Sequence, residues 1–151
     1  MKKVYLSFAY TTPAWLSEQA IKSLSEMSEV SYYVKGSEYS DKPIKECDVF
    51  AIILPSNSFS YEVNKLTMGL KKELTQAYNL KKQIILVYYS KMAEGVTFYL
   101  TNFDKGIIEG ISGTNSDVIK LLKEEKIELG TADSTDYSWL SDNKNNEFII
   151  L

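Results

Sequence analysis

Two short runs leave this chain little choice of fold. Asp48-Val-Phe-Ala-Ile-Ile-Leu54 and Gln83-Ile-Ile-Leu-Val-Tyr-Tyr89 are almost wholly apolar. They lack the alternation of a strand with one face in water, and instead read as central strands covered on both faces. Between them, from about Lys65 to Leu80, apolar residues recur at helical spacing. Strand, helix, strand in that order predicts a parallel sheet with right-handed crossovers. The expected fold class is α/β: a single Rossmann-like or flavodoxin-like domain, its parallel sheet of four to five strands flanked by helices.

The remaining elements follow from local chemistry. Val4 to Ala9 reads as the first strand. Thr12 followed by Pro13 is a helix start, and Trp15, Ile21, Leu24 and Met27 carry that helix to about Met27. Val30 to Val34, β-branched and aromatic, reads as the second strand. The polar loop Lys35 to Asp41 follows, then a short helix over Lys42 to Glu46 beginning at Pro43. Beyond Tyr89 the pattern weakens. Gly106-Ile107-Ile108 reads as a short fifth strand, and Asp117 to Lys126 as a helix capped by Asn115 or Ser116. The α/β domain is expected over residues 1–127. Residues 128–151 read as a polar extension whose apolar end, Phe148-Ile149-Ile150-Leu151, docks on its own domain or on a neighbour.

Composition narrows the chemistry. The 151 residues fit one domain, 44% hydrophobic and 25% charged. There is no histidine, which excludes His-based acid–base work, Ser–His and Cys–His dyads and His-ligated metals. There is no arginine either, so the planar fork that grips carboxylates and phosphates is missing. The net charge is −3 and the lysines are scattered, so nucleic acid is not an expected partner. The lone Cys47 forms no internal disulfide, and no apolar run approaches the roughly 18 residues of a membrane span. A soluble, cytoplasmic protein without a membrane partner is expected. No Gly-rich phosphate cradle, Walker loop or paired-Cys motif is present, so neither cofactor nor metal is expected.

Open α/β sheets hold ligands beyond the carboxyl ends of their strands. That singles out Ala9-Tyr10-Thr11, the loop Lys35 to Asp41, Pro55 to Asn57 and the start of the helix carrying Glu73. Leu66, Leu70, Leu74 and Ala77 form the apolar stripe of that helix, and Glu73 shares its edge. A carboxylate half under a helix has a fixed direction and a raised pKa, as a nucleophile or acid–base residue needs. The same spacing also suits a boundary residue paired with a lysine. Gly69, one turn earlier, leaves room for a ligand. Lys65, Lys71 and Lys72 read as pointing to solvent. Tyr5 and Ser7 share one face of the first strand. Glu38 and Asp41 lie in the loop on the ligand side, where acids are commonly just solvated. Ser56 and Asn57, in Ser-Asn-Ser-Phe-Ser, could bond a sugar or simply turn the chain.

The stretch Gly69-Leu-Lys-Lys-Glu73-Leu-Thr-Gln-Ala77, between the Cys47–Pro55 run and the Gln83 strand, resembles the nucleoside 2-deoxyribosyltransferases. The resemblance covers roughly residues 2–90. It implies that Glu73 is the nucleophile on the sugar's anomeric carbon, that Tyr5 orients it and that Asp41 serves the leaving base. The carboxyl-end rule and the local chemistry above, rather than the resemblance, make Ser7, Ala9, Tyr10, Ser56, Asn57 and Gly69 the expected substrate-binding residues. The resemblance also implies a homo-oligomer with sites completed by a neighbour. Tyr5-Leu6-Ser7-Phe8-Ala9-Tyr10 is similar as well to the opening strand of Toll/interleukin-1 receptor domains that cleave NAD, and there too the catalytic glutamate falls on Glu73. Both resemblances imply N-glycosidic chemistry on a nucleoside, nucleotide or NAD. The alternative from another class is a non-catalytic nucleotide-binding or interaction domain on the same fold.

Overall fold

The computed structural model describes residues 1–9, 12–53, 68–90, 95–104 and 107–125. In chain order the elements are β1 (Lys3–Ser7), α1 (Ala14–Ser25), β2 (Glu29–Ser31), α2 (Lys42–Glu46) and β3 (Val49–Ile53). Then come α3 (Met68–Asn79), β4 (Gln83–Ser90), β5 (Gly95–Asp104), β6 (Ile107–Gly113) and α4 (Asn115–Leu122). The strands form one sheet in the order β2-β1-β3-β4-β5-β6. β1 pairs in parallel with β2 and β3, and β3 in parallel with β4. β5 pairs antiparallel with β4 and β6 antiparallel with β5.

The two apolar runs are indeed neighbours at the centre, and every residue of β3 is buried. They look continuous because both faces of the sheet are covered. Tyr5, Phe50, Ile52, Ile84, Leu86 and Tyr99 face one layer, where they meet Ile44 of α2 and Leu70, Leu74 and Ala77 of α3. Val4, Leu6, Val49, Ala51, Ile53, Ile85, Val87, Phe98 and Leu100 face the other, against Leu16, Ala20 and Leu24 of α1 and Val118 and Leu122 of α4. Residues alternate between two cores, so the period-two signal vanishes from the hydropathy.

The α/β expectation holds, but the sheet is mixed and six-stranded rather than parallel with four or five strands. The difference is the β5–β6 hairpin. Strand β5 is not expected from the sequence, and of the short strand expected at residues 106–108 the described residues, Ile107 and Ile108, begin β6. An antiparallel pair needs no crossover helix, so the spacing rule that locates β1 to β4 is silent there. Thr97, Thr101 and Asn102 interrupt the apolar run, and the β5–β6 register slips between Leu100 and Thr101 and again between Asn102 and Phe103. Strand β2 is also shorter than its composition suggests. Tyr32, Tyr33 and Val34 leave the sheet and stand 40%, 42% and 56% exposed. The cap of α4 is Thr114, one residue before those expected. Its side chain and the Asp117 carboxylate form a capping box, with Thr114 N–H donating to Asp117 Oδ2 at 3.0 Å. The extension at 128–151 lies outside the described residues.

Candidate active site

The register of β1 against β3 begins the site. Tyr5 lies opposite Phe50 and their rings stack, centroids 6.0 Å apart with 15° between planes. Ser7, two residues on, faces the same way, and it is buried at the carboxyl end of the strand. Across from them α3 presents Leu70, Leu74 and Ala77 to the core, and Glu73 falls on that same inner face, only 7% exposed. The apolar stripe that docks the helix thereby drives a carboxylate against β1.

Three hydroxyls meet it there. Tyr5 Oη donates a short hydrogen bond to Glu73 Oε2. Ser7 Oγ donates to Oε1 at 2.9 Å. Tyr39 Oη, from the loop between β2 and α2, donates to Oε2 at 3.4 Å. Among the described residues no lysine comes within ion-pair distance of Glu73. The arrangement differs from a boundary glutamate held by a lysine. Burial pushes the Glu73 carboxyl above the ordinary range, while bonds from Tyr5, Ser7 and Tyr39 and the nearby charge of Lys72 pull it back. Burial, and then the adjoining carboxylate, drive the Tyr5 phenol far above its usual value. Tyr39 is pushed up to about 12 by burial and by Glu73. Both phenols therefore remain donors at neutral pH.

The loop at 32–41 frames the open side. Tyr39 meets Tyr33 edge to face at 5.5 Å, and the Lys72 ammonium lies 5.2 Å from the centre of the Tyr39 ring. Asp41 accepts from Gln76 Nε2 at 3.3 Å and pairs with Lys45 at 3.4 Å. Gln76 is three residues beyond Glu73, so Asp41 lies along the same helix about one turn away. The loop turns at Val34–Ser37, where Ser37 N–H donates to Val34 O at 3.0 Å and Gly36 takes φ +90°. A Cβ on Gly36 would touch nothing within 4 Å, so the demand for glycine is purely conformational. Gly36→Ala should cost about 1 kcal/mol in urea denaturation. An unchanged midpoint would show that the turn tolerates a side chain.

Of the residues singled out from the sequence, Tyr5, Ser7 and Glu73 converge and Asp41 stands beside them through Gln76. Ser7 spends its hydroxyl on Glu73 and is 1% exposed, so here it supports the carboxylate. Ala9 is buried in the same core as Tyr5, and its carbonyl accepts from Thr12 N–H at 2.9 Å. Gly69 is exposed, with open space where its Cβ would be. Glu38 is exposed in the loop. Tyr10, Ser56 and Asn57 lie outside the described residues. Tyr39 was missed. Its one signal was position, in the ligand-side loop two residues before Asp41.

Fold and site together define an α/β chain with a six-stranded mixed sheet and a buried glutamate held by hydroxyls at the carboxyl end of β1. No family model matches the chain, and no curated protein matches it. Among the described residues no helix is long and apolar enough to cross a membrane.

Proposed function

We propose that the chain cleaves or transfers at the N-glycosidic bond of a nucleoside, a nucleotide or NAD, with Glu73 as nucleophile. The observation that carries this reading is a buried carboxylate met by three hydroxyl donors and, among the described residues, no cation within ion-pair reach. Burying a carboxylate in this way costs stability, and such sites are typically functional. The Tyr5 partnership and the carboxyl end of β1, beside the change of direction in strand order between β2 and β3, support it further.

Chemically, the C–N bond lengthens through an oxocarbenium-like state and a Glu73 oxygen captures the anomeric carbon. A nucleoside base leaves with the bonding pair and takes a proton, for which Asp41 is the carboxyl at hand, whereas nicotinamide leaves NAD with the bonding pair as a neutral ring and takes none. Water or a second base then attacks the anomeric carbon of the glycosyl ester, gives up its proton to the Asp41 carboxylate and releases Glu73 as carboxylate, the first route being hydrolysis and the second transfer. Tyr5 and Ser7 hold the two oxygens so that the carboxylate cannot rotate away from the sugar. A homo-oligomer belongs to this reading, and a monomer by sedimentation equilibrium would remove that part.

The test is incubation with deoxynucleosides, their monophosphates, free bases and NAD, followed by chromatography, with Glu73→Ala alongside. Freed bases, new nucleosides or nicotinamide are expected, and their absence from the variant. Turnover that survives in Glu73→Ala removes the nucleophile assignment. No turnover of any of them by the native chain overturns the reading in favour of a non-catalytic domain.

A further inference from the structure

Two of the three hydroxyls on Glu73 meet the same oxygen, and they are not equivalent. Tyr5 is 2% exposed, fixed in a strand and stacked on Phe50. Tyr39 is 39% exposed, carried on a loop, and reaches Oε2 only at 3.4 Å. A carboxylate oxygen has two in-plane lone pairs. Tyr5 and Tyr39 together engage Oε2, while Ser7 alone engages Oε1. An incoming group that needs access to Oε2 can displace the long, exposed bond at small cost, but not the buried one.

The attachments of Tyr39 fit an exchangeable contact. Its ring rests under the exposed Lys72 and against the exposed Tyr33, and Gln76 to Asp41 at 3.3 Å is the next tie between loop and helix. Each is a partly solvated interaction of modest strength, as in segments that open locally. The charged and titratable groups around the carboxylate are Tyr5 from β1, Tyr39 from the loop and Lys72 from α3. Asp41 acts on Tyr39, and the buried Cys47 on Tyr5.

We propose that Tyr39 is a positioning residue for Glu73, a solvent-side hydroxyl that holds the carboxylate in the free protein and yields its place on Oε2 when substrate enters. The kinetic half of this inference rests on the function proposed above; the ionisation half does not.

Tyr39→Phe separates the two, because it keeps the ring beneath Lys72 and removes the donor alone. The carboxyl carbon of Glu73, followed by ¹³C NMR against pH in the ligand-free protein, is expected to titrate at higher pH in Tyr39→Phe than in the native chain. For an active preparation, kcat/KM reports the free enzyme and kcat the complex. The acidic limb of kcat/KM should move to higher pH, lowering kcat/KM there by about three- to tenfold. The limb of kcat should stay in place, since the donor has already left the complex. Tyr5→Phe, the buried counterpart, should move both limbs. An unmoved NMR midpoint in Tyr39→Phe overturns the inference outright. A kcat limb that moves with kcat/KM overturns the displacement. Absence of turnover would count against the proposed function alone, and the NMR titration would still decide whether Tyr39 holds Glu73.

Discussion

Under the proposed chemistry Glu73→Gln is expected to lower turnover by about 10³-fold or more, and at neutral pH to raise the melting temperature by about 2–4 °C. The two effects share one cause. The carboxyl of Glu73 is raised because burial penalises its charged form more than three hydroxyls and the Lys72 charge recover. A raised carboxyl binds its proton more tightly folded than unfolded. Its favourable contribution is therefore complete below the unfolded pKa and is lost as pH rises through the folded one. Once ionised, the native chain bears the cost of a buried charged group. Glutamine has nearly the same shape, its carbonyl can accept from Tyr5 or Ser7, and it carries no charge at any pH. The variant should thus be the more stable protein at pH 7, and the gap should close as pH falls toward about 4. Calorimetry of both proteins across that window provides the check. A variant several degrees less stable at pH 7 would mean that the ionised carboxylate is a net structural bond, and would remove the main reason for calling the site functional. Under the proposed chemistry the activity loss follows because glutamine cannot capture an anomeric carbon and later leave as a carboxylate.

The placement of a carboxylate on a buried helix face makes Glu73 legible in the sequence itself. A carboxylate on the edge of the Leu70–Leu74–Ala77 stripe breaks the local rule that buried helix positions are apolar, and such breaks gather at functional sites. Tyr5 and Ser7 were legible for a different reason: period two in a strand puts them on one face, and the docked helix must then be on that face. Tyr39 has no periodicity to betray it. It lies 34 residues from Glu73 in a loop without regular structure, and its contact depends on the turn at Gly36. Lys72 was read as pointing to solvent, and it is exposed, but a long flexible stem can bring its ammonium over the Tyr39 ring all the same. The hairpin β5–β6 escaped because its pairing is set by hydrogen bonds between neighbours, with two register slips, rather than by a clean apolar pattern. Sequence periodicity thus reports the faces of the two cores well. It says little about the loops that decide what reaches the carboxylate.

Phe50→Ala is the substitution expected to cost most in stability, about 3–5 kcal/mol. Phe50, the second residue of β3, is 0% exposed, with β1 on one side and β4 on the other, and its ring faces the layer beneath α2 and α3. Truncation there removes a large apolar side chain and leaves a hole bounded by strands that cannot collapse without breaking the sheet. Against the 5–15 kcal/mol typical of a domain this is a large fraction, and the melting temperature should fall by roughly 6–20 °C. The same hole opens beside Tyr5, whose ring rests on Phe50 at 6.0 Å. Tyr5 would then keep its hydroxyl but lose the surface that aims it at Glu73. Phe50→Leu keeps much of the volume and should cost less than about 1.5 kcal/mol, while still removing the aromatic stack. Under the proposed chemistry, Phe50→Leu should therefore fold well and lower kcat more than it changes KM, since orientation of the nucleophile acts in the transition state. Urea denaturation with steady-state kinetics on one preparation reads both effects. A Phe50→Leu protein with native stability and native kcat would show that Tyr5 is aimed by its hydrogen bond to Glu73 alone, with no contribution from the ring beneath it.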